Sequence, residues 1–259
     1  MAAVWCDART PVDANNSTTL LRNFSSVLYS ILKVPARIAF YFYCRKLKII
    51  KPSVLKEKGP LLIAANHPNS FLDAIVLATL FQRPVYSLVR GDVYSNKFYS
   101  RLLTALKMLP VYRISEGTEN LGSNYDTFEK CKSIFKKNGI VLIFSEGRCI
   151  NEWKLRPLKK GTARLALSAW KENIPLKVIP AGINFSSFRK YGKNIHLNFS
   201  DPIHNTFQHL ESGRAISAFN AKLETELRPL VYEIKHSDKE AIKEKFELRV
   251  PVIKKFLLY

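Results

Sequence analysis

The 259-residue sequence is poor in cysteine. Cys6, Cys44, Cys131 and Cys149 form no C-x-x-C pair, which argues against a zinc ribbon or a disulfide framework and predicts reduced thiols. With 10 glycines and 13 prolines, a collagen-like or low-complexity chain is excluded. No G-x-G-x-x-G or G-x-x-x-x-G-K-[ST] occurs, so dinucleotide and P-loop binding lose their usual signals. The absence of G-x-S-x-G counts against an α/β-hydrolase. H-E-x-x-H is missing too, and His204 and His209 have no helical metal spacing, so no metal is expected. Acidic residues are the last shortage. There are 21 against 41 Lys and Arg, a formal charge of +20.

Such a charge points to an anionic partner: nucleic acid, a membrane surface, or a phosphorylated substrate. The basic residues are dispersed, and no block of five or six marks a nucleic-acid arm. Hydrophobic residues make up 47% of the chain, enough to bury a core and exclude a disordered protein.

Residues 1–18 are polar and rich in turn-formers, and predict a loose end without the pattern of a signal peptide. Over 19–34, Leu20, Phe24, Val27, Leu28, Ile31 and Leu32 recur at helical spacing. Pro35 interrupts, and Ile38 to Tyr43 follow, next to Arg45, Lys46, Lys48 and Lys51. The longest uncharged run in this region, 23–32, is short of the roughly 18 residues a membrane span needs. The expectation is an interfacial helix pair over 19–50, with aromatic and basic residues at the lipid headgroups. A soluble hairpin covering the main domain is the alternative.

From residue 51 to 259 short apolar runs alternate with helical patterns. Strands are predicted near 61–65, 84–89, 109–114, 140–144, 176–183 and 195–199. Helices are predicted near 70–82, 94–107, 120–138, 161–173 and 212–234, with a charged helix in 237–259. This is an α/β pattern: a largely parallel twisted sheet with flanking helices.

The strand at 61–65 runs into Asn66-His67-Pro68-Asn69-Ser70-Phe71-Leu72-Asp73. Carboxyl ends of strands are where ligands bind in α/β domains. Asp73 can fold back to orient His67, leaving the other ring nitrogen as a base. Ser70 and Asp73 also read as a capping box, which would make His67 an ordinary turn residue.

Asn66-His67…Asp73 resembles the first block of the glycerolipid acyltransferases, the 1-acylglycerol-3-phosphate acyltransferase family. Three further stretches follow in that family's order: Leu109-Pro110-Val111-Tyr112-Arg113, Phe144-Ser145-Glu146-Gly147-Arg148, and Val178-Ile179-Pro180-Ala181-Gly182. The resemblance spans about residues 35–205. Two departures stand out. Five residues, rather than four, separate His67 from Asp73. Arg148 follows Gly147 directly, and Cys149 occupies the usual arginine position. Lys107 also stands where the second block usually has a leading glycine.

The resemblance implies transfer of a fatty acyl group from a thioester to a hydroxyl, with no cofactor beyond acyl-coenzyme A or acyl carrier protein as co-substrate. It implies His67 and Asp73 as the catalytic pair. Oxyanion donors are expected at the helix start after Asn69. Arg113 is implied as the phosphate grip, and Glu146 as a hydrogen-bond partner of the acceptor hydroxyl or a brace for Arg113. Gly147 and Arg148, with Arg156, Lys159 and Lys160 nearby, complete the implied substrate contacts. Pro180 would shape the wall. The implied partner is membrane lipid at the cytoplasmic face, not nucleic acid. A basic nucleic-acid-binding protein and a non-catalytic membrane-surface protein are the alternatives.

Overall fold

The computed structural model describes residues 12–112, 121–207, 209–235 and 237–246. Helix α1 (Val12–Tyr43) leads directly into strand β1 (Cys44–Ile50). There follow β2 (Leu61–Ala65), α2 (Phe71–Leu80), β3 (Val85–Arg90), α3 (Lys97–Ala105), β4 (Met108–Val111), α4 (Leu121–Lys136) and β5 (Ile140–Phe144). The chain continues through α5 (Gly161–Lys171), β6 (Lys177–Phe185), β7 (Lys193–Phe199), α6 (Ser212–Leu227) and α7 (Lys239–Lys245). The predicted alternation of strands and helices is present from β2 to β6.

The strands form one seven-stranded sheet in the order β1-β7-β6-β2-β5-β3-β4. Every pairing is parallel except β6 with β7. Side chains alternate across it with period two. On one face Leu62, Ala64, Val141, Ile143 and Val178 pack with α4, α5 and α6. On the other, Leu61, Ile63, Ala65, Ile140, Leu142 and Ile179 pack with α2 and with Phe40 of α1. Burial on both faces is why β2 and β5 read as unbroken apolar runs.

Strands β2 and β5 are neighbours with the register Leu61↔Ile140 to Ala65↔Phe144, so both end at one edge. Their outgoing helices part, α2 to one face and α5 to the other. That divergence opens a crevice at the strand ends, the usual ligand position in open α/β sheets.

The expected helix pair over 19–50 is corrected here. Residues 12–43 form a single helix through Pro35. Proline loses one backbone hydrogen bond, and the flanking turns are pinned by tertiary contacts that offset this. Tyr29 Oη accepts from Val85 N–H at 3.2 Å, Arg37 Nε donates to Thr79 O at 2.8 Å, and Lys33 Nζ donates to Phe81 O. Burial, helped by Arg37, lowers the Lys33 pKa to about 8. Residues 12–18, expected to be loose, belong to the same helix. The basic stretch beyond Tyr43 is not helical. Cys44 to Ile50 pair with Lys193 to Asn198 as an edge strand, where lysines discourage edge-to-edge association.

Among the described residues no helix is long and apolar enough to cross a membrane. Helix α1 nevertheless exposes Val27, Ile31, Val34, Ile38 and Phe42, which share one face, while Tyr29 and Phe40 are buried on the other.

Candidate active site

His67 lies in the turn that leaves β2, and Asp73 lies in the first turn of α2. Their side chains meet: His67 Nδ1 to Asp73 Oδ2 is 2.8 Å. The Asp73 side chain is fully buried, whereas His67 is 19% exposed. Between them, Ser70 has backbone φ 51° and ψ −129°. This region favours glycine, so the turn holds strain of about 1–3 kcal/mol.

The capping-box alternative does not hold. Ser70 makes no side-chain cap. The Asp73 carboxylate instead accepts from His67 and from Asn69 N–H at 2.8 Å, both at Oδ2. Burial raises the Asp73 pKa. His67, Asn69 N–H and Lys193 pull it back down. The His67 ring stacks on Phe144 at the end of β5, with centroids 3.8 Å apart and planes 9° from parallel. Phe144 therefore fixes the plane of the imidazole and Asp73 fixes its rotation. Nε2 is the nitrogen left for a reactant proton.

A second loop, after β5, clasps the first. Glu146 is 4% exposed. Its Oε2 accepts from His67 N–H at 3.0 Å and its Oε1 from Arg156 N–H at 2.9 Å. Each oxygen is thus engaged once by backbone and keeps a further lone pair; Arg113, which Glu146 was expected to brace, lies outside the described residues. Ile150 N–H donates to His67 O, Ser70 N–H to Cys149 Sγ at 2.9 Å, and Asn151 Nδ2 to Pro68 O. Five bonds between the two loops, counting that of Glu146 to His67 together with Ser145 N–H to Ala65 O, preorganise the site. Of the N–H groups after Asn69, expected as oxyanion donors, that of Ser70 is engaged in this clasp. Among the described residues, Phe71 N–H, one residue further, takes no part in the clasp.

Gly147 has φ 68°, and a Cβ there would lie 3.0 Å from Lys159 Cγ, so glycine suits the position best. Lys159 N–H donates to Ser145 O at 2.7 Å, which brings Arg156, Lys159 and Lys160 beside the β5 turn. Arg148, Lys159 and Lys160 are exposed, and Arg156 is half-buried. Arg113 falls outside the described residues. Its neighbour Tyr112, just past β4, is held by Asn124, whose amide donates to Tyr112 O and accepts from Tyr112 N–H, each at 2.7 Å.

Pro180 is buried in β6 opposite Ala64, between the β7 ladder and the Val178↔Ile203 bridge. A missing N–H is tolerated in that gap, so packing accounts for it. Sequence reading missed several members of the site. Asn66 locks the end of β2 to β6 through Ile183 N–H and O. Trp153 Nε1 donates to Phe185 O, and its ring meets Phe188 at 4.6 Å. Asn66 and Phe144 stand inside the motif blocks and were within reach. Trp153 and Phe188 carry no local signal.

A family model described as Acyltransferase matches residues 46–184, just over half of the sequence. The chain belongs to the acyltransferase family. Its fold is similar to the crystal structure of the 1-acyl-sn-glycerophosphate (LPA) acyltransferase PlsC from Thermotoga maritima. The two share 14% identity with a TM-score of 0.57, over 93% of this chain and 90% of that one. No curated protein sequence matches the chain. The matched span of the acyltransferase model contains both site loops, from His67 through Lys160.

Proposed function

We propose that this acyltransferase moves a fatty acyl group from a thioester, acyl-coenzyme A or acyl carrier protein, to a hydroxyl of glycerol 3-phosphate, lysophosphatidic acid or a related lysolipid. The observation that carries the reading is the His67–Asp73 pair, with the imidazole clamped at a crevice and Nδ1 already bound. The Thermotoga maritima protein, named for lysophosphatidic acid, supports the acceptor class through fold alone.

His67 Nε2 takes the proton of the acceptor hydroxyl. The oxygen attacks the thioester carbonyl directly, forming the new C–O bond. Phe71 N–H, at the start of α2, is the proposed donor to the oxyanion. Collapse breaks the C–S bond, and the thiolate leaves with the proton from His67. No acyl-enzyme is required, because the hydroxyl substrate is itself the nucleophile. Arg113, Arg148, Arg156, Lys159 and Lys160 are the proposed phosphate contacts, since guanidinium and ammonium groups suit phosphate oxygens. The exposed stripe of α1 rests on the cytoplasmic face of a membrane, where acceptor and product reside.

Thiol release from palmitoyl-coenzyme A and from palmitoyl carrier protein, against a panel of acceptors, tests this. His67→Ala is expected to lower acceptor-dependent release by roughly 10²–10⁴-fold. Release that is indifferent to His67, or absent with both donors and every acceptor, overturns it.

A further inference from the structure

Lys193 opens β7 and is 2% exposed. A buried lysine ordinarily pairs with a carboxylate or gives up its charge. This ammonium is held differently. Nζ donates to Phe188 O at 2.7 Å and lies 5.2 Å from the Tyr43 ring centroid and 5.5 Å from that of Phe185. Two aromatic faces at this range are the surroundings that attract an ammonium group.

The Phe188 carbonyl is shared. Asn69 Nδ2 donates to it at 3.3 Å. The Asn69 backbone N–H in turn donates to Asp73 Oδ2, the oxygen that also holds His67. A continuous hydrogen-bonded relay therefore runs from Lys193 through Phe188 O and Asn69 to Asp73 and His67.

We propose that Lys193 is a positioning residue of the acyl-transfer site, fixing the carbonyl that anchors the Asn69 turn and supplying a positive charge to the Asp73 carboxylate. This rests on the His67 base reading above. Lys193 acts on Asp73 electrostatically as well as through the relay. The other titratable groups facing the pair are Glu146 and Cys149 on the β5 loop, with Arg156 against Glu146. Cys44, across on β1, also feels Lys193. The Glu146 carboxylate favours protonation of the pair and Lys193 opposes it. Removing Lys193 favours the protonated forms, so the acid limb of the pH–rate profile must move to higher pH.

The test is the pH dependence of kcat/KM for acceptor-dependent thiol release by full-length wild type, Lys193→Gln, Lys193→Met and Lys193→Arg. Gln keeps an N–H donor on a side chain one bond shorter and deletes the charge, whereas Met deletes both. In both neutral variants the acid limb is expected to move up by about half to one pH unit, a threefold to tenfold loss on the limb. Arg is expected to restore the wild-type profile. The titration midpoint of the His67–Asp73 pair, followed by NMR of the His67 ring, is expected to move with it. Superimposed limbs and midpoints, with only a lower melting temperature, overturn the proposal. If the wild type transfers no acyl group, the functional reading fails and the NMR midpoint still decides this one. Asn69→Ala cuts the relay from its other end without touching the buried lysine. It is expected to lower kcat with little change in KM, and an unchanged kcat overturns the relay even if neither neutral variant folds.

Discussion

Glu146 shows at the residue scale how a motif position can serve the frame of a site. Its two carboxylate oxygens hold the backbone at His67 and at Arg156, so it braces the turn that carries His67, whatever contact it makes with substrate. Burial raises its pKa, against the pull of both N–H groups, and burial raises that of Asp73 too. A carboxyl with a raised folded pKa binds protons more tightly folded than unfolded. Stability contributed by these two groups is therefore present in acid and is lost as pH rises from about 4 through the raised values. Glu146→Gln removes the buried charge but turns an amide NH2 toward one of the two N–H donors, which costs about 1–3 kcal/mol. The two effects oppose. The unfolding free energy from denaturant titration is expected to shift by less than about 2 kcal/mol, while kcat falls by about tenfold or more. An unchanged kcat would show that the clasp does not position His67.

Ser70 poses the corresponding question at the scale of an element. It has a positive φ within the five-residue gap between His67 and Asp73, and its side chain makes no cap. Glycine adopts that backbone without strain but is more flexible in the unfolded chain. Ser70→Gly is expected to raise stability by about 1 kcal/mol, read from the denaturant midpoint, with turnover retained because the N–H to Cys149 remains. Destabilisation would mean that the serine side chain matters in a way the hydrogen bonds do not reveal. Such elements differ in how far the sequence discloses them. Strands β2 and β5 are legible because burial on both faces leaves only apolar residues, and the His67–Asp73 pair because it is nearly local. Helix α1 is not legible across Pro35, since its continuity depends on Lys33 and Arg37 reaching carbonyls of residues 79–82. Strand β1 reads as a basic flank because only its pairing with β7 makes it a strand. Lys193 is invisible for the same reason: its partners lie at Phe188, Tyr43 and Phe185, and at the far end of a relay.

At the scale of the whole molecule, α1 joins the lipid-facing reading to the catalytic one. Its buried face grips the carboxyl end of α2, and the amino end of α2 carries Asp73. Its other face leaves Ile31 60%, Ile38 54% and Phe42 62% exposed. Deleting residues 1–50 is a poor test of membrane binding, because it strips β1 from the sheet edge. Point changes on the exposed face avoid this. Replacing both Ile31 and Ile38 with Glu adds two negative charges and removes two apolar anchors, without touching Tyr29, Lys33, Arg37 or Phe40. Flotation with anionic liposomes is expected to fall by roughly tenfold or more, and the melting temperature to stay within a few degrees. Transfer to a bilayer-embedded acceptor should fall in parallel, while transfer to a detergent-dispersed one should not. The net charge of +20 adds a salt dependence: flotation of the wild type should weaken between low and physiological ionic strength as screening shortens to about 8 Å. If the double variant floats as well as the wild type, the apolar face of α1 is not the lipid contact. If both bind lipid equally and only bilayer turnover falls, α1 orients the site over the membrane rather than holding the protein there.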